Sequence, residues 1–323
     1  VELGLRLDRD DLLRNRNLSP RVGVAWAPGK SETTKLFGGY AVIYDATNLQ
    51  LFTRPFDQIP VTTYYAADGS QEMGPSFLLY RFGQMHYATP RSTTLNAGVE
   101  RRLPGGVYSR LNYLHRRGRR GFTYFNTQAP AADPGSNTIY DLGNQRVDRY
   151  HGFEITLRQP LRRQYEWMAS YRHSRATPSA VMDVNLDDPL IVFNNNGPLD
   201  WDSPHRLMGW FYLPVPWTKN WGVASLAEYH SGFPFSIQDE YGRVLGQVNA
   251  RRFPVFAELN LHLERKFNAF GQHWAWRFGF NNITNHRNYN VVNNSLASPE
   301  YLRFYGGQSR AFNMRFRWLG KNP

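Results

Sequence analysis

The plainest pattern in the chain is a two-residue alternation through its last third. Val255, Ala257, Leu259, Leu261 and Leu263 fall on one face of an extended segment, with Phe256, Glu258, Asn260, His262 and Glu264 on the other. The next segment sets Trp274, Trp276, Phe278 and Phe280 against Ala275, Arg277, Gly279 and Asn281. The last sets Phe312, Met314, Phe316 and Trp318 against Ala311, Asn313, Arg315 and Arg317. Earlier stretches repeat the pattern more faintly, as in Phe153, Ile155, Leu157 opposite Glu154, Thr156, Arg158, and Tyr165, Trp167, Ala169, Tyr171 opposite Glu166, Ser170, Arg172. Each segment is about the 9–11 residues that a tilted strand needs to cross a bilayer.

The connections alternate too. Short turn signals at "APGKSET", "LPGG", "RRQ", "PVPWTKN" and "NAFGQ" separate long polar stretches at about residues 8–19, 45–91, 118–148, 175–202, 230–253 and 284–308. A soluble sandwich has no reason to keep every second connection short, whereas an outer-membrane barrel has short periplasmic turns and long extracellular loops. The strands number roughly twelve, an even count. Trp26, Trp167, Trp221, Trp274 and Trp318 all fall beside the short turns, where amphipathic indoles at the headgroup level form a periplasmic aromatic girdle. The predicted fold class is all-β, a transmembrane antiparallel β-barrel.

Composition agrees with a membrane barrel and excludes other classes. Aromatics are 15% of the 323 residues, yet the mean hydropathy is −0.57. A barrel reconciles the two, because only every second residue faces lipid and the rest line a wet interior. No apolar run is long enough for a transmembrane helix. With no Cys, disulfides and thiolate metal sites are ruled out. The net charge of +12 suits an anionic partner, but the arginines are scattered over strands rather than gathered in a recognition module, so nucleic acid is not expected. The one dense cluster, "HRRGRR" from His115 to Arg120, reads as a solvated strand tip, with contact to lipopolysaccharide phosphates as the sharper alternative.

No catalytic constellation is present: G-x-S-x-G, P-loop, H-E-x-x-H and EF-hand patterns are all missing. The carboxylate pairs Asp187–Asp188 and Asp239–Glu240 read as solvated loop residues, and His286, set among amides without carboxylates at ligand spacing, does not make a metal site. No cofactor is called for. What remains is a set of charges expected to face the lumen: Arg110, Glu154, Arg158, Arg172, Glu228, Glu258, His262, Arg277, Arg315 and Arg317. Singly, each reads as a partner in cross-strand pairing that hydrates the interior; together they form the surface that a plug or a passing substrate would meet. The aromatic, amide-rich stretches Tyr124 to Tyr140 and Phe233 to Tyr241 suit sugars or oligopeptides as well as metal chelates, so the substrate is not named by sequence.

At "NLSPRVGVAWAP" from Asn17, "TKLFGGYAVIYD" from Thr34, "DSPHRLMGWFYLP" from Asp202, "SGFPFS" from Ser231, "FAELNLHLERKF" from Phe256 and "FGFNNITNHRNY" from Phe278, the chain resembles the TonB-dependent outer-membrane receptors, in particular their Oar-like branch. The pieces come in the family's order and span nearly the whole chain. The resemblance implies a barrel of 22 strands with a plug inside, of which residues 1–323 are the C-terminal portion. The chain begins at Val1 in a strand pattern, so the signal peptide, plug, TonB box and first strands are expected to lie outside it. The resemblance also implies a Gram-negative outer-membrane location and uptake energised through a TonB-type inner-membrane complex, with selection by the external loops and plug. The partners implied are outer-membrane lipid and lipopolysaccharide, the plug and an unknown substrate. Two other readings keep the barrel but change its use: a passive porin-type channel, and a surface-displayed adhesive or structural barrel.

Overall fold

The computed structural model describes residues 1–323 except 30–32, 127–135, 162–164, 184–188, 194–195 and 321–323. β1 (Glu2–Arg9), β2 (Arg16–Trp26) and β3 (Thr34–Tyr44) open the chain. The segment after β3 forms the short helix α1 (Leu49–Thr53), a 3-10 turn, β4 (Val61–Tyr65) and β5 (Gln71–Phe82). β6 (Arg91–Arg102), β7 (Tyr108–Asn126), β8 (Thr138–Pro160) and β9 (Glu166–Pro178) follow, then the small pair β10 (Ala180–Asp183) and β11 (Leu190–Phe193). β12 (His205–Pro214) and β13 (Trp221–His230) lead to the pair β14 (Pro234–Phe235) and β15 (Arg251–Arg252), and then to β16 (Phe256–Ala269) and β17 (Gln272–Asn281). The pair β18 (Val291–Val292) and β19 (Phe304–Tyr305) precedes β20 (Ala311–Gly320).

Twelve of these strands run in the order β1-β2-β3-β6-β7-β8-β9-β12-β13-β16-β17-β20 through one sheet, matching the count read from sequence. Each is antiparallel to the next, and the small strands all lie in the long connections. The tightest turn is the two-residue link between β16 and β17. There Phe270 and Gly271 both take positive φ, as a type I′ hairpin requires.

Register carries one apolar face across the sheet. A line of direct partners runs from Trp26 through Leu36, Val99, Leu111, Ile155, Tyr171 and Leu207 to Tyr229. It starts beside a short turn and ends beside a long loop, so the strands are staggered as the tilted strands of a barrel are. The same face continues through Leu259, Leu261 and Leu263 to Phe278, Phe280, Phe312 and Met314. Many of its large side chains are exposed, among them Leu5, Val24, Leu95, Phe153, Phe312 and Met314. A contiguous exposed apolar face of that extent belongs against lipid.

Two long connections depart from the sequence reading. β7 and β8 continue well past the expected strand ends at residues 118 and 148, so "HRRGRR" lies inside a 19-residue strand and is not a tip. The stretch after β3, expected to be a polar loop, builds a small core of its own. Leu51 and Phe52 of α1 pack with Tyr80, Phe122, Tyr124 and Leu142, and β5 runs parallel to β8 from Leu78↔Thr138 to Phe82↔Leu142. Tyr124, expected to lie in a ligand-facing loop, is fully buried there and donates its hydroxyl to the Leu51 carbonyl at 2.5 Å.

Candidate functional site

Alternation and register place all ten charged candidates on the sheet face opposite the apolar one. Arg110 faces Thr156, Glu154 faces Arg172, and Arg172 faces Arg206 in turn. Glu228 faces Glu258, His262 faces Gly279, and Arg277 faces Arg315, with Arg317 two residues along; Arg158 faces Met168 on the same side. Several charges are met by neighbours: Arg110–Glu100 at 3.7 Å, Arg158–Glu166 at 2.7 Å and Arg206–Glu228 at 2.6 Å. These pairs are solvent-accessible and contribute little stability.

The residue that sequence alone left off this set is Glu264. Its carboxylate is buried beside Arg317 at 2.6 Å and Arg277 at 3.6 Å, and accepts the Tyr212 hydroxyl at 3.0 Å. Tyr212 reaches it by lying over Gly222, where an added Cβ would come within 2.8 Å of the ring. A buried carboxylate between two guanidiniums needs partners from β12, β17 and β20, and that convergence has no local sequence signal.

At the long-loop end the polar face opens into a cavity of about 620 Å³. Arg116, Arg146, Arg149, Arg172 and Arg206 line it together with Asp45, Asp148, Tyr150, Trp201 and Phe233. Arg146 pairs with Asp148 at 3.0 Å and Arg116 with Asp45 at 3.5 Å. Arg172 has no ion pair among the described residues, and its Nε is buried without a hydrogen-bond partner. Burial raises the Asp45 carboxyl above its ordinary value, against the pull of Arg116 and with the added repulsion of Asp148. The charged lining is therefore five arginines against two carboxylates. Phe233 also lines a second cavity of about 360 Å³ with His230, Phe253, Phe256, Glu258 and Tyr289. Two adjoining cavities, one basic and one aromatic, thus share a Phe wall on the face that carries the lumen candidates.

Buried side chains tie together the segments around this cavity. Asp202 is almost wholly buried; it accepts Arg252 Nη2 at 2.6 Å and the Ala176 amide at 2.7 Å. Arg252 also donates to the carbonyls of Asp202 and Gly232. Ser203 donates to the Ser231 carbonyl at 3.0 Å. The "DSPH" and "SGFPFS" segments are therefore fastened to one another. Asn249 extends the fastening by donating to Asp200 at 2.6 Å and to the Pro198 carbonyl at 2.9 Å. The amides after β17 act in the same way. Asn282 donates to the His286 carbonyl and accepts the His286 amide, while Asn288 bonds both backbone groups of Ala257. His286 turns its Nδ1 to Asn288 at 3.0 Å, and among the described residues no group of three or more His, Asp or Glu side chains could hold a metal. Asp187 and Asp188 lie outside the described residues. Asp239 is not a free solvated carboxylate: it takes Arg243 at 2.6 Å and the amides of Tyr241 and Arg243.

The five tryptophans expected to form a girdle lie at the opposite end of the sheet, on its apolar face. Trp26 faces Leu36, Trp167 faces Gln159, Trp221 faces Arg265, and Trp274 faces both Phe267 and Trp318. The family described as outer membrane beta barrel domain matches residues 13–252. The chain belongs to that family. A curated relative, the uncharacterised protein YddB of Escherichia coli K12, is 24% identical over 203 residues, which is 60% of this chain and 24% of YddB. The crystal structure of the outer-membrane transporter YddB from E. coli superimposes with a TM-score of 0.67 at 15% identity, over 97% of this chain and 42% of that one. A variant of the ferric enterobactin receptor PfeA from Pseudomonas aeruginosa, in complex with enterobactin, gives 0.68 at 16% identity over the same shares. The siderophore receptor PirA from Acinetobacter baumannii gives 0.62 at 14% identity, over 98% of this chain and 43% of that one. These neighbours are TonB-dependent outer-membrane receptors, and this chain shares their barrel fold and their outer-membrane location in Gram-negative bacteria. It spans less than half the length of each.

Proposed function

We propose that this chain is the C-terminal portion of the barrel of an energised outer-membrane importer. Ligand binding at the external mouth is coupled through a plug to a TonB-type inner-membrane complex, and the cargo is a solute too large or too scarce for porins. The basic cavity supports an anionic cargo, of which a metal-bound siderophore is one example. The observation that carries this reading is Arg172, a guanidinium with no ion pair set in a cavity beside four other arginines and three aromatic rings. An anion there gains charge-assisted hydrogen bonds that the protein itself does not supply, and the aromatic wall of Phe233 and Trp201 covers an apolar or planar part of the same molecule.

The test uses the full-length receptor in cells with and without a functional energy-coupling complex, supplied with radiolabelled ferric siderophores of differing charge. Saturable binding in both strains, with uptake only in the energised one, is expected. Arg172→Gln should weaken binding of the anionic cargo by roughly tenfold or more, the value of one lost charge-assisted contact. Uptake that persists without energy coupling would make the barrel a passive channel. Unchanged binding by Arg172→Gln would move the ligand site elsewhere.

A further inference from the structure

The two adjoining cavities carry opposite unpaired charges. In the basic one that charge is Arg172, whereas among the described residues no Lys or Arg lines the second. Its one carboxylate is Glu258, on the polar face of β16 directly across from Glu228. Glu228 is met by Arg206 at 2.6 Å, while Glu258 has no ion pair or hydrogen-bond partner among the described residues. Two carboxylates set face to face on neighbouring strands repel unless each has its own cation. Glu258 is thus left for a positive group that the described residues do not supply.

Aromatic rings make much of the wall around it. His230 stacks on Phe256 at 4.6 Å with 6° between the planes, and Phe233 packs against His230 at 5.0 Å. Phe253 and Tyr289 both lean on Phe304, at 5.6 Å and 6.0 Å, so packing behind the cavity sets their positions. Ring faces attract a cation through their quadrupole, and a carboxylate among them adds full charge to that attraction. A neutral sugar would use the rings and leave Glu258 unanswered; an ammonium group uses both.

Register sets the distance between the two unpaired charges. Arg172 lies directly opposite Arg206, Arg206 opposite His230, and His230 opposite Phe256, with Glu258 two residues along β16. Three strand spacings make about 14 Å along the wall. An extended peptide of roughly four residues covers that length from its ammonium to its carboxylate.

We propose that the cavity of Glu258, Phe233, Phe253, Phe256 and Tyr289 is a subsite for an organic ammonium group, and that the cargo is zwitterionic, with its anionic group at Arg172. The Arg172 end rests on the importer reading given above, while the ammonium end stands on Glu258 and its rings. A short peptide with free termini is the simplest molecule of that chemistry.

The experiment titrates the full-length receptor in detergent, by calorimetry, with a tetrapeptide of uncharged side chains and with its N-acetylated and C-amidated forms. The free peptide is expected to bind most tightly, and acetylation, which removes the positive charge alone, should weaken binding by roughly tenfold or more. Glu258→Gln should abolish that preference, so that free and acetylated peptides bind alike. Equal binding of the two by the unmodified receptor would overturn the ammonium subsite without reference to any variant, as it would if a basic group of the plug already neutralised Glu258. Failure of the free peptide to bind would overturn it as well, and uptake of anionic cargo through Arg172 would stand or fall by its own assay. Sensitivity to acetylation without sensitivity to amidation would support the ammonium subsite and remove the anionic group from Arg172.

Discussion

Asn282 illustrates how single side chains at the sheet margin act as backbone. Its φ of 50 puts it in the left-handed region, where Asn is tolerated and most L-residues are strained. Its amide also closes the turn after β17 through His286. Two substitutions separate these roles. Asn282→Gly removes the amide but accepts the backbone, at an expected cost of about 1–3 kcal/mol. Asn282→Ala removes both and should cost about 1–2 kcal/mol more. Urea unfolding of the full-length receptor in detergent measures the difference, and equal stability of the two variants would mean that the left-handed backbone carries no strain. Glycosylation chemistry does not enter, although Asn282-Ile283-Thr284 matches a sequon, because the Asn282 side chain is nearly buried and wholly engaged with its own turn.

At the scale of one strand, β16 puts opposite environments one residue apart. Leu261 faces Ser225 and Phe280 on the apolar side, and His262 faces Ala224 and Gly279 on the polar side. Leu261→Arg should cost about 2–4 kcal/mol if the position lies near the bilayer midplane, and His262→Arg far less. A dry protein core would also punish Leu261→Arg, so accessibility must be read beside stability. A spin label at 261 in reconstituted receptor should be relaxed by lipid-soluble oxygen and shielded from a water-soluble nickel chelate, with the reverse at 262. Equal access of the chelate to both, or protection of 261 from both reagents, would remove the membrane strand. β7 follows the same rule over a greater length, and there the rule sets Arg116 on the polar face and Arg117 on the apolar one.

For the whole molecule, the stagger of the sheet and the split between short and long connections define an inside and an outside. Trp217 and Phe270 stand fully exposed at the tips of two short turns, and Leu245 is exposed in a long connection. Residues 1–323 contain no Cys, so a single cysteine introduced here is compared with the full-length receptor that lacks it. A membrane-impermeant maleimide added to intact cells should label position 245 readily. Positions 217 and 270 should react only after the outer membrane is permeabilised. Labelling of 270 in intact cells would invert the topology, and with it the placement of the cavities at the external mouth.

Strand count, turn alternation and the apolar and polar faces of the sheet are legible in the order of residues, because period-2 burial and turn chemistry are local rules that every strand obeys independently. The polar-face position of Arg172 is legible for the same reason. Its isolation was not, since that depends on what Arg206 and Asp148 do on neighbouring strands. Glu264 waited on the convergence of β12, β16, β17 and β20. The core beneath α1 waited on the docking of β5 beside β8, some sixty residues away. The lengths of β7 and β8 were misjudged because polar, Arg-rich residues beyond the membrane resemble loop by composition, while their pairing with each other keeps them extended. Sequence determines which face each residue takes within its own strand. Register alone determines which charges of different strands become neighbours, because stagger between strands is a property of the hydrogen-bond ladder and not of any one segment.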